Sequence, residues 1–202
     1  MTGAMLAVMA MCMMAFHPAP VGNSTNAEAR AARYTVSANV AIPGFYWRGD
    51  APMPPERLLA TVAAAIERCP HIPNRPDWIL LVFETALAET DGGYFLVPWR
   101  SPGDLGAFQI REETATDTLV WLRATHPDAY RALMSFYDHK STLTVNLEHN
   151  APFGAALCAT YYWRRAPRAN IRTRAARAEL WKREYNTARG KGDVARYLTA
   201  QR

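Results

Sequence analysis

Ala86-Leu87-Ala88-Glu89-Thr90-Asp91-Gly92-Gly93 closes an apolar run that begins at Trp78, and the reading of this stretch decides the fold. Pro76-Asp77 suits a first helical turn, and the two glycines break one, so the run predicts a helix. Ile79, Leu80, Leu81, Val82, Phe83, Ala86 and Leu87 leave almost no polar face, which predicts a central, buried helix. Its two carboxylates, Glu84 and Glu89, lie five positions apart, or about 140° around the axis, so they do not share a face. Glu89 ends a rigid apolar support beside a loop, which suits a general acid. The competing reading is a solvated glutamate in a last helical turn. Glu84, mid-helix between Phe83 and Thr85, reads instead as the buried partner of an arginine from the C-terminal helices.

Outward from this helix the chain is mainly α. Pro54-Pro55-Glu56 opens a helix to about Cys69, with Leu58, Leu59, Val62 and Ile66 as its apolar face and Pro70 and Pro73 beyond its end. Residues 27–33 suit a short helix and 34–53 an extended segment. Residues 18–26 form a Pro, Gly, Ser and Asn linker. Residues 1–16 are almost wholly apolar. They are too short to span a bilayer, which takes about 20 residues, and suit the apolar region of an export signal, with a membrane tether or a misassigned start as alternatives. Downstream, residues 92–105 predict a loop or small β excursion, with Tyr94, Phe95, Leu96 and Val97 as strand residues. Helices are expected over 112–126, 127–137, 155–164, 173–184 and 193–200, with a break at 138–144. Three segments result: 1–26, signal-like; 27–75, an extension with one helix; and 76–202, the main domain.

The 202 residues suffice for a real core, half of them hydrophobic. Net charge is +5 and the isoelectric point about 9.3, with Lys and Arg concentrated beyond residue 164. A basic end points to an anionic polymer or surface, or else to a solubilising helix. Nucleic-acid binding as the main function is not expected, because no DNA-binding motif surrounds these residues. Neither the three cysteines, Cys12, Cys69 and Cys158, nor the five histidines show metal-ligand spacing, so neither metal nor cofactor is expected. Cys69 and Cys158 read as separate buried thiols, with a disulfide as the alternative.

Three short motifs remain: Glu89-Thr90; Gly106-Ala107-Phe108-Gln109-Ile110, followed by Thr114-Ala115; and Tyr185-Asn186 with Gly190 and Gly192, leading to Tyr197-Leu198. In order and spacing they resemble the soluble lytic transglycosylases, a lysozyme-like family, over roughly residues 76–198. The Tyr-Asn-Thr and Gly-Lys-Gly wording is similar to that of bacteriophage members. Thr90 stands where that family carries Ser, Ala107-Phe108 where it carries Leu-Met, and Glu184 where it carries a small residue. Residues 125–150 look like extra length between the second and third motifs.

The resemblance implies a lysozyme-like α+β domain with a small β or loop excursion beside a catalytic cleft. It implies cleavage of the β-1,4 bond between N-acetylmuramic acid and N-acetylglucosamine in peptidoglycan, leaving a 1,6-anhydro end, with Glu89 as acid and then base. Thr90, Gly106, Phe108, Gln109, Tyr161, Tyr185 and Asn186 would contact or position the sugar. Gln109 and Asn186 both donate and accept hydrogen bonds, as acetamido and hydroxyl groups require. Phe108 and Tyr185 beside Glu89 would desolvate its anion and raise its pKa. Tyr161 and Tyr162 offer flat faces for sugars or pack the core. A hydrolysing lysozyme would need a second carboxylate, for which Asp91 and Asp104 are candidates, although either suits a turn or cap. A wall-binding or virion protein without activity is the remaining class. The expected setting is an exported monomer in the periplasm or envelope, or a component of a virion or secretion assembly.

Overall fold

The computed structural model describes residues 53–73, 75–90, 103–186 and 192–200. The expected export signal, linker, 27–33 helix and extended segment up to residue 52 lie outside these residues, as do the Tyr94–Val97 strand and Asp91. Among the described residues the chain is mainly α, with one two-stranded ladder. The helices are α1 Pro55–Glu67, α2 Arg75–Thr90, α3 Glu112–Thr125, α4 Pro127–Met134, α5 Leu143–His149, α6 Ala151–Arg165, α7 Arg174–Leu180 and α8 Val194–Thr199. A π-helical turn, Trp181–Asn186, follows α7 directly. The strands β1, Asp104–Leu105, and β2, Ile110–Arg111, pair antiparallel, Asp104 opposite Arg111 and Leu105 opposite Ile110.

The core forms where α1, α2 and α6 meet. α1 buries Leu58, Leu59, Val62 and Ile66 along one stripe, as its 3.6-residue spacing dictates. α2 buries Trp78, Leu80–Val82 and Ala86–Ala88 and is apolar nearly all round. α6 shares the central position: Pro152 to Thr160 are buried without interruption. Its Gly154, Ala155, Ala156 and Ala159 let neighbouring elements approach closely, and the Phe108 ring lies directly over Gly154. Cys69 and Cys158 are separate, buried free thiols, and burial pushes the Cys69 thiol up to about 12. Buried hydroxyls are paired, as desolvation demands: Thr85 Oγ1 donates to the Leu81 carbonyl and lies 2.9 Å from the Tyr162 hydroxyl.

The expected break at 138–144 ends earlier than the sequence implied, because α5 occupies Leu143–His149. Thr142 caps it, its Oγ1 accepting from the Val145 amide at 3.2 Å. Two asparagines pin the preceding loop. Asn146 accepts from the Asp138 amide and donates to the Asp138 and Thr142 carbonyls. Asn150 donates to Asn146 Oδ1 and to the Phe136 carbonyl while capping α6 at Phe153.

The second buried feature is ionic. Arg177 of α7 grips Glu84 of α2 with both prongs, Nε to Oε2 at 2.7 Å and Nη2 to Oε1 at 2.8 Å. Tyr197 of α8 donates its hydroxyl to Oε2 at 3.0 Å. The remaining guanidinium nitrogen donates to the Ile171 and Arg172 carbonyls. A charge pair this buried holds only when its donors and acceptors are matched in this way. The arginine expected beside Glu84 is thus Arg177, and the pair ties α7 and α8 to α2.

Candidate active site

Glu89 lies in the last turn of α2 and is partly exposed, while its neighbours Ala88 and Thr90 are buried. The Trp181 indole N–H donates to Glu89 Oε1 at 2.8 Å, and the Asn186 amide lies near enough to the same carboxyl to favour its anion. Lys182 Nζ donates to Asn186 Oδ1 at 3.0 Å and to the Gly192 carbonyl at 2.6 Å. An ammonium only donates, so Oδ1 faces Lys182 and the Asn186 amide NH₂ is left to serve Glu89. Burial is the largest influence on Glu89 and pushes its carboxyl from 4.5 up to about 7. The bond from Trp181, the charge of Arg196 and the nearby Asn186 amide oppose that rise; the charge of Asp104 adds to it.

Three segments, the end of α2, the Gly106 turn and the π-helical turn, are bonded to one another around this carboxyl. Thr90 Oγ1 donates to the Ala107 carbonyl at 2.9 Å, joining the end of α2 to the Gly106 turn. The Tyr185 hydroxyl donates to the Phe108 carbonyl at 2.6 Å, joining the π-helical turn to the Gly106 turn. The Trp181–Glu89 bond closes the triangle. Comparison with protein-family models, with curated proteins and with solved structures returns no match. The chemistry of the site therefore rests on its own geometry.

That geometry reassigns several residues. Thr90 and Phe108, expected against substrate, are buried: Thr90 bonds the Ala86 and Ala107 carbonyls, and the Phe108 ring packs on α6. Both hold the site together from beneath. The Tyr161 hydroxyl donates to the Glu184 carbonyl at 2.9 Å, and its ring meets Tyr185 edge-on at 5.5 Å. Tyr162 is fully buried and stacks on Tyr185 at 5.1 Å. The two tyrosines of α6 therefore back Tyr185. Gln109 donates from Nε2 to the Gly106 carbonyl at 2.8 Å and has φ of 51°. Glu184 pairs with Arg183 and Arg165, and these bonds hold its carboxyl below the ordinary range. Asp104, a candidate second carboxylate, accepts from Arg111 at 2.7 Å across the ladder. Among the described residues no group of three or more His, Cys, Asp or Glu side chains is placed to hold a metal ion.

Gly106 seats the turn. Its φ is +66°, and a Cβ there would stand 2.0 Å from the Leu147 carbonyl oxygen of α5. Both the left-handed backbone and the contact exclude a side chain. Gly106→Ala is expected to cost about 2–5 kcal/mol from backbone strain and overpacking together. Chemical denaturation at neutral pH measures this, and a loss below about 1 kcal/mol would show that the turn is not seated on α5.

Trp181 is the site residue the sequence reading missed. In an α-helix, positions 181 and 186 stand about 140° apart. In the π-helical turn, i and i+5 are joined by the backbone bond and lie one turn apart. The π winding therefore brings Trp181 and Asn186 to the same side, toward Glu89.

Proposed function

We propose that this chain is a peptidoglycan lytic transglycosylase built on a lysozyme-like domain, with Glu89 as its general acid and base. The observation that supports this most is the closed triangle of hydrogen bonds among the end of α2, the Gly106 turn and the π-helical turn, centred on a carboxyl whose pKa burial raises to about 7. Glycoside cleavage needs a carboxylic acid still protonated at working pH, and a carboxyl of this kind supplies one.

In the first step Glu89 protonates the oxygen bridging N-acetylmuramic acid to N-acetylglucosamine. The glycosidic bond breaks, and the muramyl acetamido oxygen attacks the anomeric carbon from the opposite face. That route needs no second protein carboxylate, in keeping with the engagement of Asp104 by Arg111. In the second step the Glu89 carboxylate takes the proton of the muramyl 6-hydroxyl. Its oxygen displaces the acetamido oxygen and closes the 1,6-anhydro ring. No water is consumed, and Glu89 ends protonated, as it began. Asn186 and Tyr185, residues that are partly exposed, are the ones suited to orient the sugar. The working partner is then the glycan strand, met in the periplasm, in the envelope or from a virion, by a monomeric protein whose basic C-terminal region favours an anionic wall.

Mass spectrometry of purified wall digested by the protein tests this. Anhydromuramyl ends are the expected product, and reducing muramyl ends would replace the transglycosylase by a hydrolase. Cleavage needs the protonated acid, so the rate is expected to fall about tenfold per pH unit as pH rises above the value near 7. A rate flat to pH 9 would remove Glu89 from the role.

A further inference from the structure

Trp181 stands in a position no motif predicts. It is almost wholly buried, at 1% exposure, and its one polar atom points at Glu89 Oε1. What fixes the indole is backbone. A Cβ on Gly192 would lie 2.5 Å from Trp181 Cη2 and 2.9 Å from Asn186 Nδ2. Tyr197 covers another side of the indole, ring centroids 5.3 Å apart. The glycine of the third motif thus provides the space in which the Trp181 ring and the Asn186 amide sit.

We infer that Trp181, seated by Gly192, is a positioning residue that fixes the Glu89 carboxyl and assigns its transferable proton to Oε2. An indole N–H only donates, so the oxygen it meets must accept. In the protonated acid the carbonyl oxygen is the better acceptor, so the bond to Trp181 favours the tautomer with its hydroxyl on the other oxygen, Oε2. The proton therefore leaves from, and returns to, the oxygen turned away from Trp181. In a π-helical turn the spacing between positions 181 and 186 that this arrangement uses is available only while the turn keeps its i to i+5 winding. A glycine distant from Glu89 in sequence thereby acts on it through the indole. Its consequence for turnover rests on the reading of Glu89 as acid and base; the hydrogen bond and its effect on the carboxyl do not.

Trp181→Phe keeps a flat ring and removes the donor. Loss of a bond that favours the anion raises the Glu89 pKa. The other groups acting on Glu89, Arg196 of α8, Asp104 of β1 and Asn186 of the π-helical turn, are unchanged by the substitution. Two readouts are needed: the titration of Glu89 followed by carbon NMR of its side-chain carboxyl, and the pH profile of anhydromuropeptide release. The expected result is an upward shift in both by about half a pH unit or more, with kcat at pH 6 reduced about tenfold and KM within about twofold. Gly192→Ala, which retains the indole but displaces it, is expected to reproduce the shift. Tyr197→Phe, which loses the bond to Glu84 and keeps its ring against Trp181, is expected to lower stability and leave the titration unmoved. An unshifted Glu89 titration in a folded Trp181→Phe protein would falsify the inference, as would a shift of equal size in Tyr197→Phe. Should Trp181→Phe not fold, Gly192→Ala carries the same test. If the wild type releases no muropeptides, the proposed activity fails, while a shifted titration still upholds the link between Trp181 and Glu89.

Discussion

Glu89→Gln is expected to abolish wall lysis, with release of anhydromuropeptides falling at least about a thousandfold, because one residue serves as acid in the first step and base in the second. The protein is expected to remain folded. Gln keeps an oxygen that accepts from Trp181 and adds no bulk. It also removes a charge that burial disfavours. The folded carboxyl titrates near 7 and an ordinary one near 4.5. Between those values the folded chain holds a proton that the unfolded chain has released, so this group's favourable contribution declines as pH rises from 4.5 and is gone above 7. The melting temperature of Glu89→Gln above pH 7 should therefore equal or exceed that of the wild type. Sedimentation with insoluble wall separates binding from cleavage, and the variant is expected to bind. A lytic Glu89→Gln protein would move the chemistry to another residue.

The second large effect is the opposite in kind. Glu84→Gln is expected to cost about 3–5 kcal/mol, because it leaves the Arg177 guanidinium buried without its counter-charge. For a chain of this size that amounts to a drop of about 6–20 °C in melting temperature. Activity per folded molecule, assayed well below the transition, is expected to survive, since none of the bonds in the triangle around Glu89 involves Glu84. Replacing Glu84 and Arg177 together by methionines should recover much of the loss, because both members of the buried pair go and the Arg174 left beside them is about one-third exposed. Differential scanning calorimetry on the single and double variants decides this. Full stability with complete inactivity in Glu84→Gln would exchange the roles assigned to the two glutamates.

The division between these two carboxylates was legible in the sequence, because an apolar helix of known period separates two faces whatever packs against them. Its weight of Ile, Leu, Val and Phe also fixed α2 as a core element. Other features were hidden for physical reasons. α5 is short, and Thr144 and Val145 in its first turn are β-branched, so local propensity argued against a helix that Thr142 and the Asn146–Asn150 pair hold in place. The ladder of β1 and β2 has two residues per strand, too few to show alternation. Thr90 and Phe108 sit in motifs that suggest substrate contact, yet their partners come from distant segments and bury them. Trp181 escaped because reasoning at 3.6 residues per turn cannot see a pair five residues apart on one side.

The seating of Gly106 on the Leu147 carbonyl has a practical consequence. Residues 125–150 appear in sequence as surplus between two motifs, and a trimmed version of the protein would be cut there first. Such a cut would remove the floor beneath the turn that carries Ala107 and Phe108, and with it the anchors of Thr90 and Tyr185. Anyone grafting this site onto another scaffold, or shortening this one, has to carry α5 along as part of the transplant.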